Sequence, residues 1–170
     1  LRGLDEYRLQ QANPDVTLSI VGDGPAASQL RTLSHELELA DVVQFHGLRT
    51  GAELDALFEE ADLALGSLGM HRLGLERSSS LKTREYCARG IPFVLASEDP
   101  DFERDFPFVL HVAADDSPAD IEAFVRFMKE LRERYPDYPT EMRRHAETHL
   151  TWKAKLDPVI EYIRTGKVPT

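Results

Sequence analysis

A polar loop that runs into a predicted helix carries the residue types best suited to binding a small anion. The segment SSSLKTRE (78–85) follows an apolar run of strand length. The free N–H groups and the positive dipole end of a helix start attract anions, and serine hydroxyls either cap the helix or contact phosphate oxygens. Lys82 lies in the first turn, where the dipole disfavours a cation by about 0.3–1 kcal/mol unless an anion is nearby. The pattern indicates a bound pyrophosphate, with an ordinary serine cap and a solvated lysine as the alternative.

Glu85 lies about one turn further along the same helix. A carboxylate there could accept hydrogen bonds from both hydroxyls of a ribose whose phosphates lie over the helix start. Arg89 follows Glu85 by four residues, so the spacing also predicts a surface ion pair worth about 0.2–0.5 kcal/mol. Spacing alone favours the ion pair.

Two glycine turns follow the first two predicted strands. Gly22-Asp23-Gly24-Pro25 (22–25) lacks the third glycine of a GxGxxG motif, so it is weak as a dinucleotide signature. We expect a tight strand-to-helix turn at Gly22 and Gly24 whose backbone lets a ligand approach. The second turn, Gly47-Leu48-Arg49 (47–49), either receives a nucleobase against its backbone or only ends a strand.

The elements that must position these residues follow from the hydrophobic pattern. Strand-length apolar runs alternate with segments of helical period, which is typical of parallel βαβ units. The predicted strands are 16–21, 41–45, 61–65, 93–96 and 108–113. The pattern predicts an α/β fold with a doubly wound parallel sheet, whose ligands bind at the carboxyl ends of the strands. The candidate loops are therefore 22–25, 47–51, 66–80 and 97–101.

Composition limits the size of the fold and its partners. The chain has 170 residues, of which 42% are hydrophobic, so we expect one core and one domain over residues 1–170. A formal net charge of −10 repels nucleic acid and anionic lipid surfaces. Positive charge is nevertheless concentrated locally, at Arg72, Arg77, Lys82, Arg84 and Arg89.

Cysteine and histidine usage argues against metal or disulfide chemistry. Cys87 is the single cysteine, so no internal disulfide or CxxC motif forms, and a reducing cytoplasmic location is the default. Of six histidines, His145 and His149 alone have i,i+4 spacing, and we expect a surface pair rather than a metal site. No apolar run is long enough to span a membrane, and no signal peptide is seen. The chain opens on Leu1 and a helical pattern, which suggests a piece of a longer protein.

The order of four stretches resembles the C-terminal, donor-binding domain of GT-B glycosyltransferases, especially family 4, the glycosyl transferases group 1. The stretches are LSIVGDGPAASQLRTL (18–33), VVQFHGLRTGAELDALFEEADLAL (42–65), SLKTREYCARGIPFV (80–94) and TWKAKLDPVIEYI (151–163). The resemblance implies a Rossmann-like half of a GT-B fold. It also implies that the first strand of this domain and an acceptor-binding N-terminal domain would precede Leu1.

The resemblance implies roles for several residues. Glu85 would bind the ribose hydroxyls, and Ser80, Leu81 and Lys82 would meet the donor pyrophosphate. The nucleobase would contact the backbone near Leu48 and Arg49. Many family members also carry an E-x7-E pair, but the residue eight before Glu85 is Arg77, with Glu76 one position away. Either a one-residue bulge restores Glu76 to the donor sugar, or that contact differs.

We therefore expect sugar transfer from a nucleoside diphosphate sugar to an acceptor, with retention at the anomeric carbon. A helix start and Lys82 can stabilise the departing diphosphate without a metal or cofactor. The isolated chain should bind nucleotide weakly and catalyse nothing, and the full-length protein could lie peripherally at a membrane.

Three alternatives remain at this point. A nucleotide-sugar epimerase would need acid and base groups in both domains. A non-catalytic interaction domain is supported by the irregular register at Glu76 and Arg77 and opposed by the intact Lys82 and Glu85. A flavodoxin-like phospho-receiver is weaker still, because its acidic cluster and strand-end lysine are missing.

Overall fold

A computed structural model describes residues 1–11 and 16–167 of the chain. Residues 12–15 and 168–170, which belong to the predicted domain, lie outside the described residues. The chain divides into two compact units, one of Leu1–Ala61 with Ser117–Arg126 and one of Asp62–Asp116 with Phe127–Thr170. The assignment of residues 1–170 to one donor-binding domain stays a prediction.

The first unit is built on two parallel strands. Its elements are α1 (Arg2–Gln10), β1 (Leu18–Val21), α2 (Ala27–Glu36), β2 (Val43–Gly47) and α3 (Ala52–Glu59). Leu18 pairs with Val43 and Ile20 with Phe45. Buried Leu4, Leu39, Val42 and Val43 form its core. The predicted strands 16–21 and 41–45 are thus confirmed, but each observed strand begins two residues later than predicted.

The second unit is built on three parallel strands. Its elements are β3 (Ala64–Leu65), a 3₁₀ helix (Met70–Leu73), α4 (Leu81–Arg89), β4 (Phe93–Leu95), β5 (Val109–His111), α6 (Tyr138–His149) and α7 (Trp152–Thr165). The helix α5 (Ile121–Arg134) begins in the first unit and ends in the second.

The central strand β4 lies between β3 and β5 and is the most deeply buried of the three. Phe93 and Val94 have no exposed surface, as expected for a parallel strand covered on both faces. The Phe93 ring meets that of Phe102 edge-on, with centroids 5.0 Å apart. Cys87 of α4 and Met142 of α6 are also fully buried, so this core holds α4 beside α6.

The predicted α/β class with parallel strands and intervening helices is confirmed. The strand pairing differs from the single sheet that the sequence predicts. The described strands form a two-stranded sheet, β1-β2, and a three-stranded sheet, β3-β4-β5. No helix within residues 1–11 and 16–167 is long and apolar enough to cross a membrane.

Candidate functional site

Helix α4 and its cap residue carry four of the predicted site residues, namely Ser80, Leu81, Lys82 and Glu85. It begins after Ser80, whose backbone is extended, and ends at Gly90, whose φ of 77° is the left-handed conformation that favours glycine. The N–H of Gly90 donates to the Cys87 carbonyl, and the N–H of Ile91 to the Tyr86 carbonyl. Gly90 is therefore a left-handed cap, as is typical of a glycine that ends a helix shortly before a proline, here Pro92.

The start of α4 has no side-chain cap. Ser80 occupies the cap position, but its hydroxyl lies 3.4 Å from the Thr83 hydroxyl instead of capping a backbone N–H, and its backbone carbonyl is engaged as well. That carbonyl accepts hydrogen bonds from the Thr83 hydroxyl at 2.7 Å and from Arg84 Nη1 at 2.8 Å. The ordinary serine cap considered above is therefore not formed, and no side chain of the described residues satisfies the first N–H groups of the helix.

Lys82 lies in this first turn and is only partly solvated. Burial lowers the pKa of its ammonium group below the ordinary value. Its ammonium has no carboxylate within 4 Å among the described residues. The alternative of a solvated lysine is thus replaced by a half-buried cation at a helix end that repels cations. The neighbouring Leu81 is 82% exposed.

Glu85 forms the ion pair that the spacing favours. Arg89 Nη2 and Nε donate to Glu85 Oε1 at 3.0 Å and 3.1 Å. The Glu85 side chain remains 44% exposed. Arg143 in turn donates to the Arg89 carbonyl at 2.9 Å, which holds the end of α4 to α6. Ribose binding by Glu85 stays a prediction.

A buried carboxylate beneath the start of α4 was missed by the sequence reasoning. Asp99 has a side chain only 1% exposed, and Arg84 donates to both its oxygens, each at 2.9 Å. The Thr83 hydroxyl lies 3.0 Å from the same carboxylate, so its single proton is shared between Asp99 and the Ser80 carbonyl. The available signal was the position of Asp99 in the predicted ligand loop 97–101, which the structure brings against the loop 66–80 and the start of α4.

A second carboxylate extends this network to α7. Asp101 accepts hydrogen bonds from Arg84 and from Lys155. Burial by itself would raise the pKa of Asp101, but these two cations outweigh it and hold the pKa below its ordinary value. Burial likewise opposes the charge of Arg84, yet hydrogen bonds to Asp99 and Asp101 raise its pKa. Two carboxylates and two cations therefore form a neutral cluster.

Glu76 and Arg77 are held by the loop that follows β4, with a bend at Glu76 and a parallel bridge between Arg77 and Glu98. The N–H of Glu98 donates to the Glu76 carbonyl at 2.9 Å, and the N–H of Ser78 donates to the Glu98 carbonyl at 2.8 Å. Glu76 and Arg77 are both exposed. The role of Glu76 stays a prediction.

The 3₁₀ helix in the loop 66–80 is tied to the segment that follows β5. Asp116 accepts hydrogen bonds from Arg72 Nε at 2.6 Å and from His71 Nε2 at 3.0 Å. These bonds, that of Arg72 foremost, lower the pKa of Asp116. The predicted pair His145 and His149 stacks at 4.5 Å, and His145 also packs on Phe106 at 4.6 Å.

The two glycine turns of the first unit lie side by side. The N–H of Gly22 donates to the Gly47 carbonyl at 2.7 Å, and the two residues have φ of 120° and 68°. A Cβ added at either residue, or at Gly24, would meet no atom within 4 Å. The backbone at these glycines borders open space, and the approach of a ligand at Gly22 and Gly24 stays a prediction.

The residues predicted to meet the nucleobase are on the surface of the same unit. Leu48 is 73% exposed. Arg49 Nη1 donates to the Leu48 carbonyl at 3.2 Å, and its Nε lies 4.0 Å from Glu53. The predicted site residues thus fall into two groups: Gly22, Gly24, Leu48 and Arg49 in the first unit, and Glu76, Ser80, Leu81, Lys82 and Glu85 in the second.

The fold and the position of these loops define a class of protein. Parallel α/β folds bind their ligands at the carboxyl ends of the strands, and the predicted residues follow β1, β2 and β3. The chain belongs to the glycosyl transferases group 1, whose family model matches residues 4–133.

A solved structure supports the fold assignment. The chain is similar to the pneumococcal O-GlcNAc transferase GtfA, crystallised in complex with UDP and GlcNAc, with a TM-score of 0.64 and 17% sequence identity. The match covers 96% of this chain and 32% of that chain, so the chain spans about a third of the length of this relative. The search of curated proteins found no significant sequence match.

Proposed function

We propose that the chain is the C-terminal, donor-binding domain of a family 4 GT-B glycosyltransferase. It binds a nucleoside diphosphate sugar, whose sugar is transferred to an acceptor with retention at the anomeric carbon. The observation that carries the proposal is the first turn of α4, which has no side-chain cap and holds the half-buried Lys82, whose ammonium has no ion-pair partner among the described residues. A diphosphate would supply both the acceptors and the negative charge that this turn lacks.

The proposed chemistry is charge stabilisation of the departing diphosphate. Breaking the bond between the sugar and the diphosphate leaves negative charge on the phosphate oxygens. The backbone N–H groups of Leu81 and Lys82, together with the Lys82 ammonium, would bind those oxygens and stabilise that charge. No metal or cofactor would be required. Glu76 is the candidate contact to the donor sugar.

The nucleoside end of the donor would be bound by groups of different kinds. Glu85 would accept hydrogen bonds from the ribose hydroxyls through its carboxylate, whose Oε1 accepts from Arg89 in the structure. The backbone at Leu48 and Arg49 would contact the base, and the open turns at Gly22 and Gly24 would let the ligand approach. Acceptor binding is assigned to a part of the whole protein that this chain does not contain, so the isolated chain should bind nucleotide without turnover.

Calorimetric titration tests the proposal directly. The chain is titrated with UDP, GDP and ADP, each with and without EDTA, and the titrations are repeated with Glu85→Ala. The matched control is Asp157→Ala, which removes the carboxylate of another exposed i,i+4 pair, that with Lys153. We expect one diphosphate to bind regardless of EDTA, to lose affinity in Glu85→Ala and to keep it in Asp157→Ala.

A non-catalytic interaction domain is the second candidate. Arg77 favours it, since this exposed residue stands at the position where the family's glutamate pair requires a carboxylate. On this alternative no diphosphate binds to the folded chain. Binding that disappears with EDTA would instead contradict the metal-independent mechanism.

A further inference from the structure

We infer that Asp99 is a positioning residue for the phosphate site at the start of α4. The inference rests on the proposed function and extends it to a side chain that does not itself meet the ligand. Asp99 lies in the loop after β4, and its carboxylate holds the two residues that follow Lys82 in the chain.

The first step is the geometry of the carboxylate. Asp99 Oδ2 accepts from Thr83 Oγ1 and Arg84 Nη1, while Oδ1 accepts from Arg84 Nη2 and from the N–H of Asp101 at 3.1 Å. Four donors thus converge on two oxygens of a side chain that water does not reach. Charge-assisted, two-pronged hydrogen bonds of this kind restrict both distance and orientation.

The second step connects this carboxylate to the cap position. The groups that Asp99 holds, the Thr83 hydroxyl and Arg84 Nη1, are the ones that donate to the Ser80 carbonyl. The cap residue Ser80 and the first turn of α4 are therefore fixed from beneath by side chains. Because this leaves the α4 start without a side-chain cap, the first N–H groups stay available for a ligand.

The third step is that the loop after β4, which contains Asp99, also fixes the segment 76–78 before α4. Glu98 exchanges two backbone hydrogen bonds with Glu76 and Ser78. Asp99, its neighbour, holds Thr83 and Arg84. Consecutive residues thus set the positions of Glu76, the candidate sugar contact, and of Lys82, the candidate phosphate contact.

The opposite end of α4 has its own support. Arg143 of α6 donates to the Arg89 carbonyl, and Cys87 Sγ donates to the Met142 carbonyl at 3.3 Å. A change at Asp99 should therefore displace the first turn of α4 more than it displaces Glu85, because Glu85 lies a turn further along the helix. The expected consequence is a selective loss of phosphate binding with nucleoside binding retained.

Two variants test this consequence. Asp99→Asn places an amide against the donors of Thr83 and Arg84, and Thr83→Val removes the hydroxyl while keeping the shape of the side chain. The control Asp105→Asn makes the same chemical change at an exposed aspartate further along the connection between β4 and β5. Each protein is titrated with the diphosphate that the wild-type chain binds and with its parent nucleoside, after circular dichroism and thermal melting have established that it is folded.

We expect both variants to weaken diphosphate binding roughly tenfold, comparable to the loss of one charge-assisted hydrogen bond. Nucleoside affinity should change less than twofold, and Asp105→Asn should match the wild type. If Asp99→Asn does not fold, Thr83→Val decides the question. Equal losses for diphosphate and nucleoside, or no loss for either, would overturn the inference. A wild-type chain that binds no diphosphate would refute the proposed function, and this inference with it.

Discussion

Gly90 lies directly against Pro139, so that a Cβ built on Gly90 would come within 2.7 Å of the Pro139 carbonyl oxygen and 2.9 Å of its Cα. The contact joins the end of α4 to the first turn of α6. Both atoms are backbone atoms, which cannot move aside as the end of a side chain can. Helix α4 is therefore anchored at this end by a residue that has to be glycine for two separate reasons, its φ and its surroundings.

Replacing Gly90 by alanine should destabilise the chain by about 3 kcal/mol. Of this, the left-handed backbone accounts for roughly 1–2 kcal/mol and overpacking for roughly 1–3 kcal/mol. The control is Gly166→Ala at the end of α7, where φ is 69° and a Cβ would meet nothing within 4 Å. It should cost only about 1–2 kcal/mol. Urea unfolding measures both, and equal costs would contradict the contact with Pro139.

The ion pairs of Asp101 with Arg84 and Lys155 should make the free energy of unfolding depend on pH in the acid range. The pKa of Asp101 is held below its ordinary value of 3.8 when the chain is folded, so the unfolded chain binds more protons in this range. The stabilisation is present above about pH 4 and is lost as the pH falls through the lowered folded value. Lys155→Met should lower stability near neutral pH and flatten this acid dependence.

The measurement is urea unfolding of the two proteins between about pH 2 and pH 7, a window that spans the titration of carboxylates. Lys153→Met is the matched control, because its partner Asp157 is half-exposed. Exposed pairs contribute little, about 0–1 kcal/mol. An acid profile of Lys155→Met that parallels the wild type would rule out the proposed contribution of Asp101.

Lys82→Met should separate stability from binding. In the folded chain the pKa of Lys82 is lowered by burial, so its charge costs stability below that pKa and the cost is relieved as pH rises towards the unfolded value. Removing the charge also ends an unfavourable dipole interaction of about 0.3–1 kcal/mol. We expect an unchanged or raised melting temperature and weaker diphosphate binding, measured by calorimetry. A variant that binds diphosphate as well as the wild type would contradict the assigned role.

Cys87 should be unreactive in the folded chain. It is fully buried, and burial raises the pKa of its thiol to about 12, so almost no thiolate forms near neutral pH. We expect labelling by a thiol reagent at pH 8 to be slow in buffer and fast in concentrated urea. Because Cys87 is the single cysteine, the labelling rate also reports unfolding of the α4 region. Rapid labelling without urea would show that α4 does not stay packed against Met142.

Local interactions were accessible from the sequence. The Glu85 and Arg89 pair follows from i,i+4 spacing, and the left-handed Gly90 follows from its place between an apolar helix face and Pro92. The strands were found because buried parallel strands are continuous apolar runs. Their first residues were placed two positions too early, because the ladder begins at Leu18 and Val43 and includes neither Val16 nor Asp41.

The packing beneath α4 could not be predicted in the same way. Arg84 was assigned only to a basic region, although its partners Asp99 and Asp101 lie 15 and 17 residues away. Whether Ser80 caps the helix also depended on these partners, because Thr83 and Arg84 take up its carbonyl. A pairing over such a separation has no periodic signal in the sequence.

The sequence by itself therefore determined the α/β class, the glycine turns at Gly22 and Gly47 and the order of stretches that resembles a glycosyltransferase domain. These depend on hydrophobic period, backbone conformation and chain order, which are properties of neighbouring residues. Only the tertiary structure decided that Asp99 lies beneath α4, that Lys82 is half-buried with no ion-pair partner among residues 1–11 and 16–167, and that the strands described there pair as two sheets. Burial and long-range pairing depend on which segments meet after folding, and that information is not contained in local spacing.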